Sequence, residues 1–466
     1  MERFAAGDAP VYGINTGFGA LAETRIPRGD LRTLQLNLLR SHAAGVGDPL
    51  PAAAVRATMA LRANVLAKGY SGIRRAAVDA LLALLNRRVH PVVPCLGSVG
   101  ASGDLAPLAH VALVLIGEGA ATVGDDPLPM DGAAALARAG LAPLALEAKE
   151  GLALINGTQP SAAVAALALV GAERVEGQRQ GDVRRAREAL RGSVHPFEER
   201  IHEPRGSAAQ SLSAANVRRL LAGSAINRSH EACGRVQDAY SLRCGSQVHG
   251  AAREALGFVR ARLTAEANAA TDNPMVFAAE GEIVSGGNFH GAPVALAADL
   301  TCIAVAQLAT ISERRCDRLL NPALSELPAF LTPNGGLESG YMMAQVTAAA
   351  LASELKTLAH PAGVDTIPTS ANREDHVSMS MGAALKAARA VRLAAHVLAA
   401  ELLCASQAID LLAPLATSPL LARVHRAIRA VVPPLDRDRP PSPDIARIAG
   451  MIADGTLESS CAGEVK

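Results

Sequence analysis

The chain has 466 residues, half of them apolar and 19% charged, with a net charge of +1 at neutral pH. That balance supports a large core and argues against electrostatic capture of nucleic acid or an anionic membrane; with no Trp, four Tyr and seven Phe it also argues against a base-stacking platform. Seven cysteines without a Cys-x-x-Cys spacing point to reduced thiols in a cytosolic protein, and the opening residues, Met1 to Asp8, have no apolar run of a secretory leader.

The first segment, Val11 to Gly19, is punctuated by glycine and reads as a loop carrying Tyr12. Residues 29–42 follow as a helix ending at Arg40-Ser41-His42. Pro51 opens a helix that runs to Lys68 and stops at Gly69, with Val55, Met59 and Leu66 on one face. A further helix covers 71–87. After a glycine-rich stretch, Gly97 to Leu108, come the apolar run to Ile116 and a Gly/Asp/Pro-rich piece, 117–131, that can hold a hairpin. Residues 145–156 lead into Asn156-Gly157-Thr158-Gln159, and 160–191 read as one long helix, apolar first and polar later.

A short helix at 209–222 precedes the loop carrying Gln237, Tyr240 and Arg243 and an amphipathic helix at 247–269. Residues 270–290 read as strand, turn, strand and loop. Pro293 opens a helix to Leu320; helices at 338–359 and 381–413 flank the loop 361–380; the tail adds a helix at 418–431, a Pro-rich piece and a last short helix. The apolar stretch 393–416 is interrupted by His396, Glu401, Gln407 and Asp410 and reads as a core helix rather than a membrane span. The fold expected is mainly α, a long central helical bundle with a loop-rich N-terminal active-site region. It divides into 1–145, the central long helices 146–413 and a tail 414–466. Helices apolar on nearly every face need partners on every face, which a bundle of several subunits supplies.

The stretch Gly97-Ser98-Val99-Gly100-Ala101-Ser102-Gly103-Asp104 can adopt backbone angles closed to other residues. Bent tightly, it lets the Gly103 nitrogen attack the Ala101 carbonyl, and loss of water then turns Ser102 into a dehydroalanine, an electrophile. The plainer reading is a connecting loop. A hydrolase elbow fits poorly, because Asp104 stands where that motif needs glycine, and there is no phosphate loop or His-Glu-x-x-His zinc motif. Other polar residues also sit in loops between apolar helices: Tyr12, His42, Asn156, Gln237, Tyr240, Arg243, Asn288-Phe289 and Glu374. Singly, each has an ordinary reading: a satisfied core Tyr or His, a salt-bridging Arg243, a capping Asn156.

Taken together, the motifs resemble the histidine branch of the aromatic amino acid lyase family. They are Tyr-Gly-Ile-Asn-Thr-Gly-Phe-Gly (12–19), Ser-His-Ala-Ala-Gly-Val-Gly (41–47), Gly-Ser-Val-Gly-Ala-Ser-Gly-Asp-Leu-Ala-Pro-Leu-Ala-His (97–110), Asn-Gly-Thr-Gln (156–159), Tyr-Ser-Leu-Arg-Cys (240–244), Gly-Gly-Asn-Phe-His-Gly (286–291) and the 370–379 loop. The resemblance covers almost the whole chain. It implies a fumarase/aspartase-like fold and a homotetramer whose active sites are shared between subunits. It implies autocatalytic conversion of Ala101, Ser102 and Gly103 to a 4-methylidene-imidazole-5-one (MIO) group, without a metal. Tyr12 is then the base for the β-proton, and needs a lowered pKa to work near neutrality. Arg243 holds the substrate carboxylate, Asn156 and Tyr240 stabilise an oxyanion, and Gln237 and Phe289 line the pocket. His42 and Glu374 face the substrate side chain. Ser41-His42 is the histidine-type pair, so the implied reaction is L-histidine to urocanate and ammonia.

Some positions depart from the family pattern. The chain begins eleven residues before Tyr12, where relatives carry further helices. Ala239, Gly245-Ser246, His249 and Leu355 replace other usual residues, and Arg373 brings a cation next to Glu374, able to pair with it and withdraw it from an imidazole. A sibling lyase or aminomutase acting on another amino acid, or a non-catalytic paralogue, are the alternatives these departures raise.

Overall fold

The computed structural model describes residues 1–7, 9–231, 234 and 236–459, and these form twenty α-helices and seven short strands. Two compact units interleave along the chain. The first comprises Met1–Leu167, Arg260–Asp299 and Pro361–Lys386; the second comprises Ala168–Val259, Leu300–His360 and Ala387–Lys466. Residues 1–145 thus fall in the first unit, 414–466 in the second, and 146–413 are divided between them.

In the first unit the helix Leu105–Leu115 packs on Leu31–His42 and Glu150–Ile155. Its sequence is apolar around nearly the whole circumference, and all of it is buried except Leu105 and His110. His110 still finds a partner, accepting from the Gly45 amide at 3.2 Å. The helix Ala52–Ala67 starts directly after Pro51, as its fixed φ favours, and buries Val55, Met59 and Leu66. The expected hairpin within 117–131 is present, Ala120–Val123 pairing with Met130–Asp131, and its first strand also pairs with Val89–Pro91. Met275–Phe277 and Glu282–Val284 form the second expected hairpin. A third pairing, Val46–Pro49 with Pro94–Leu96, has no alternating pattern to announce it; its strands are too short and too rich in Pro and Gly.

In the second unit Phe197, Val217, Leu220, Leu221 and Leu421 close a buried cluster around the helix Ala208–Leu221. Arg315 and Glu401, both wholly buried, pair at 2.5 Å, and Glu401 also accepts from Ser312 Oγ at 2.5 Å. A second Arg315 nitrogen reaches the Ser241 carbonyl at 3.5 Å, inside the short helix Tyr240–Arg243.

The four longest helices, Gln159–Ala189, Gly245–Ala267, Ala292–Leu320 and Ser380–Leu411, lie where the periodicity places them. Ala292–Leu320 is long and apolar enough to cross a membrane, yet 72% of its most apolar window is buried within the protein. Leu296, Met343 and Val346 remain exposed on helices. Cys95, Cys244, Cys302, Cys316 and Cys404 hold thiols; Cys233 and Cys461 lie outside the described residues.

Candidate active site

The glycine-rich stretch folds as a bend over 100–102 clamped from both sides. Ser98 Oγ donates to Asp104 Oδ1 at 2.7 Å, and the Gly100 amide donates to Ser98 Oγ at 3.1 Å. The Asp104 amide donates to Gly157 O at 2.8 Å, and Asp104 Oδ2 accepts from the Ser161 amide at 2.8 Å. On the other flank Ser378 Oγ donates to Gly100 O at 2.9 Å and the Met379 amide to Val99 O at 2.7 Å. Gly103 has φ of +71°, and a Cβ there would stand 2.8 Å from Gly157 Cα and overlap its carbonyl. Position 103 therefore admits only glycine, for both conformation and space. Asp104 is fully buried, and burial raises its carboxyl pKa against the lowering effect of its Ser98 and Ser161 bonds.

Around this bend the first unit gathers five of the side chains singled out in the sequence. Ser102 Oγ donates to Glu374 Oε1 at 2.9 Å, while Glu374 Oε2 accepts from Thr369 Oγ1 at 2.6 Å. Three successive non-glycine residues with positive φ, Ser370, Ala371 and Asn372, turn the loop so that Glu374 points back to Thr369 and the bend. The Arg373 side chain goes elsewhere: its guanidinium lies 3.7 Å from Glu23, both largely exposed. The expectation that Arg373 could neutralise Glu374 is thus corrected, because adjacent residues on this tight turn point apart.

Glu374 acts electrostatically on both Tyr12 and His42. Burial raises the Tyr12 phenol pKa, the Gly19 amide that it accepts from at 3.4 Å counteracts this, and Glu374 raises it further. The lowered tyrosine pKa expected from the sequence is therefore not produced by the described environment of this chain. Burial lowers the His42 pKa, and its Nδ1 lies 2.9 Å from Leu38 O and 3.0 Å from Ser41 Oγ. With Nδ1 as the donor to that carbonyl, the neutral ring keeps a lone pair on Nε2.

Asn156 ends the helix Glu150–Ile155, beside the Gly103–Gly157 bridge. Its Nδ2 donates to Asp272 Oδ1 at 3.0 Å and to Asn273 O at 2.8 Å, so both N–H groups are engaged. Asp272 lies 3.7 Å from Lys149 Nζ and 3.9 Å from Arg62, all three buried, and Arg62 also donates to Asn156 O at 2.9 Å. Burial pushes the Arg62 guanidinium down to about 10, still cationic near neutrality, and burial also lowers the Lys149 pKa against the raising effect of Asp272. Phe289, half-buried, sits in a loop tied to the Glu374 segment through His290, whose ring stacks on His376 with centroids 5.8 Å apart.

Gln237, Tyr240 and Arg243 belong to the second unit. Tyr240 is 71% exposed, with the Arg243 guanidinium 4.6 Å over its ring. Gln237 and Arg243 line a cavity of about 730 Å³ with Asp238, His195, Arg200 and Gln247.

The sequence reading missed the residues that hold the site. Asp104 sits inside the glycine-rich stretch and Asp272 at the start of the 270–290 segment, but nothing local marks either as an anchor. Arg62 carries the one available signal, a cation on the apolar face of a helix, which must be paired if buried; Lys149, between Glu147 and Glu150, carries none.

The family model for aromatic amino acid lyase matches residues 1–430. The chain is 57% identical over 454 residues to a histidine ammonia-lyase of Anaeromyxobacter sp. (strain K), covering 96% of this chain and 89% of that protein. It is 44% identical to the crystal structure of histidine ammonia-lyase from Trypanosoma cruzi, with a TM-score of 0.92 over 100% of this chain and 87% of the other. Tyrosine aminomutase from Streptomyces globisporus is 38% identical, with a TM-score of 0.93 over 100% and 91%.

Proposed function

The chain belongs to the aromatic amino acid lyase family, and on that premise we propose that it eliminates ammonia from L-histidine to give urocanate. The observation that carries the reading is the clamped bend at Ala101-Ser102-Gly103, with Gly103 forced against Gly157 and Ser102 hydrogen-bonded to Glu374. A backbone held this way fits an MIO group made from those three residues, since ring closure needs the 103 nitrogen bent back toward the 101 carbonyl. The group would supply an electrophilic carbon that makes the amino group able to leave.

The chain's own side chains do the rest. Tyr12 takes the β-proton in its phenolate form. His42, neutral, accepts from one N–H of the substrate imidazole through Nε2, and the Glu374 carboxylate accepts from the other N–H when the ring binds as the imidazolium. Arg243 binds the α-carboxylate as a bidentate pair, and Gln237 and Phe289 line the pocket. Tyr240 donates to the oxyanion; Asn156 adds a donor there by exchanging one of its bonds to Asp272 or Asn273. Tyr240 and Arg243 lie in the second unit, and in the shared-site assembly that the family resemblance implies they act on the site of a second copy in a homotetramer. The exposed apolar residues Leu296, Met343 and Val346 support such an assembly. Arg243 of that second copy also provides the positive charge that lowers the Tyr12 pKa. The thiol cysteines suit a cytoplasmic enzyme.

Incubation with L-histidine, followed in the near ultraviolet for urocanate, tests the reading directly. Turnover of histidine in preference to tyrosine and phenylalanine is expected. A panel in which histidine is inert and another amino acid reacts would replace the substrate. The Ser41-His42 pair and the freedom of Glu374 from Arg373 favour histidine.

A further inference from the structure

We propose that Glu374 is also the proton carrier that matures the site, delivering the proton with which the Ser102 hydroxyl leaves. This rests on the reading of residues 101–103 given above and adds a role that precedes turnover.

Ring formation has two dehydrations with different needs. In the first, the Gly103 nitrogen bonds to the Ala101 carbonyl carbon, and that oxygen departs as water with the amide protons of Ser102 and Gly103. The clamp accounts for this step, since it presses 103 against Gly157 and fixes both flanks of the bend. The second step is different, because bending does not help it. The Ser102 Cα–H bond breaks, its electron pair becomes the second Cα–Cβ bond, and the Cβ–Oγ bond breaks. Hydroxide is a poor leaving group, so Oγ must be protonated as it goes.

Glu374 Oε1 lies 2.9 Å from that oxygen, within proton-transfer distance. Its other oxygen is fixed by Thr369 Oγ1 at 2.6 Å, which aims the carboxyl at Ser102. Three other titratable groups near the bend are directed elsewhere. His42 directs Nδ1 to Leu38 O, the Tyr12 hydroxyl accepts from the Gly19 amide, and both Asp104 oxygens are engaged, by Ser98 Oγ and the Ser161 amide. The step uses Glu374 in its protonated form, in which the Ser102–Glu374 hydrogen bond runs the opposite way from that of the carboxylate described above: Oγ takes the proton from the Glu374 carboxyl, keeps its own, and leaves as water. The Cα proton passes to solvent and restores the carboxyl, so no oxidant, reductant or net proton is consumed.

The test is an intact-mass time course on freshly translated full-length chain. Wild type is expected to lose two waters. The E374Q variant keeps the size and hydrogen bonding of the side chain but carries no acidic proton, and it should lose the second water about 100-fold more slowly. A folded E374Q chain that loses both waters at the wild-type rate overturns the proposal. If E374Q does not fold, judged by circular dichroism, T369V takes its place: it leaves Glu374 but removes its orienting bond, and a several-fold slower second loss is expected. An unchanged time course in folded T369V equally overturns the proposal. A wild-type chain that keeps its full mass removes both this role and the underlying reading. A wild type that loses two waters yet leaves histidine untouched overturns only the substrate assignment.

Discussion

Around Tyr12 the described residues supply burial, one amide and a carboxylate, and the balance raises its pKa. A raised pKa means a neutral phenol at pH 7, with the phenolate growing as pH rises. We therefore expect kcat/KM for histidine to climb with pH into the alkaline range. R243A should move that climb to still higher pH as well as raising KM, because the proposed site loses a cation near the phenol; pH–rate profiles of the two proteins check this. Y12F should lose about 10²–10⁴-fold in kcat, as removal of a general base does, with its intact mass showing the same two-water loss as wild type. That combination separates a catalytic role from one in ring formation.

At the level of elements, the short helix Tyr240–Arg243 is too small to hold its own direction and leans on buried charge. Arg315 reaches its Ser241 carbonyl and is itself held by Glu401. E401A leaves Arg315 buried without its counter-charge, which costs about 3–5 kcal/mol, readable as a lower urea midpoint. The loss in kcat/KM should exceed that of an equally destabilising core substitution, because the helix carrying Tyr240 and Arg243 loses its anchor. The long helices themselves were legible from periodicity, since an apolar run of that length has few alternatives. The strand pair Val46–Pro49 with Pro94–Leu96 was not, because strands so short and so rich in Pro and Gly show no alternation of apolar and polar residues.

For the whole molecule, the proposed division of labour between copies has a direct consequence. In the proposed tetramer, Y12F and R243A each disable every site of their own assembly. Co-expressed in equal amounts, the two chains assemble some sites with an intact Tyr12 from one copy and an intact Arg243 from another. Random assembly of shared sites gives about a quarter of wild-type activity, measured on the purified mixed oligomer. Activity no greater than the sum of the two parents would mean that each chain builds its own site.

What the sequence determined by itself was the long helices and the place of the glycine-rich bend. Both depend on local constraints: apolar spacing along a helix, and a run of small residues at Gly97 to Gly103 that only an unusual turn requires. The family motifs added the list of polar residues. Tertiary structure alone decided which of them meet: it joined Ser102 to Glu374 across 272 positions of chain. It sent Arg373 to Glu23, engaged both Asn156 N–H groups, and put Gln237, Tyr240 and Arg243 in the other unit. Such partnerships are not written locally, because a side chain's hydrogen-bond partner depends on how distant segments pack, and the order of residues along the chain does not encode distances across the fold.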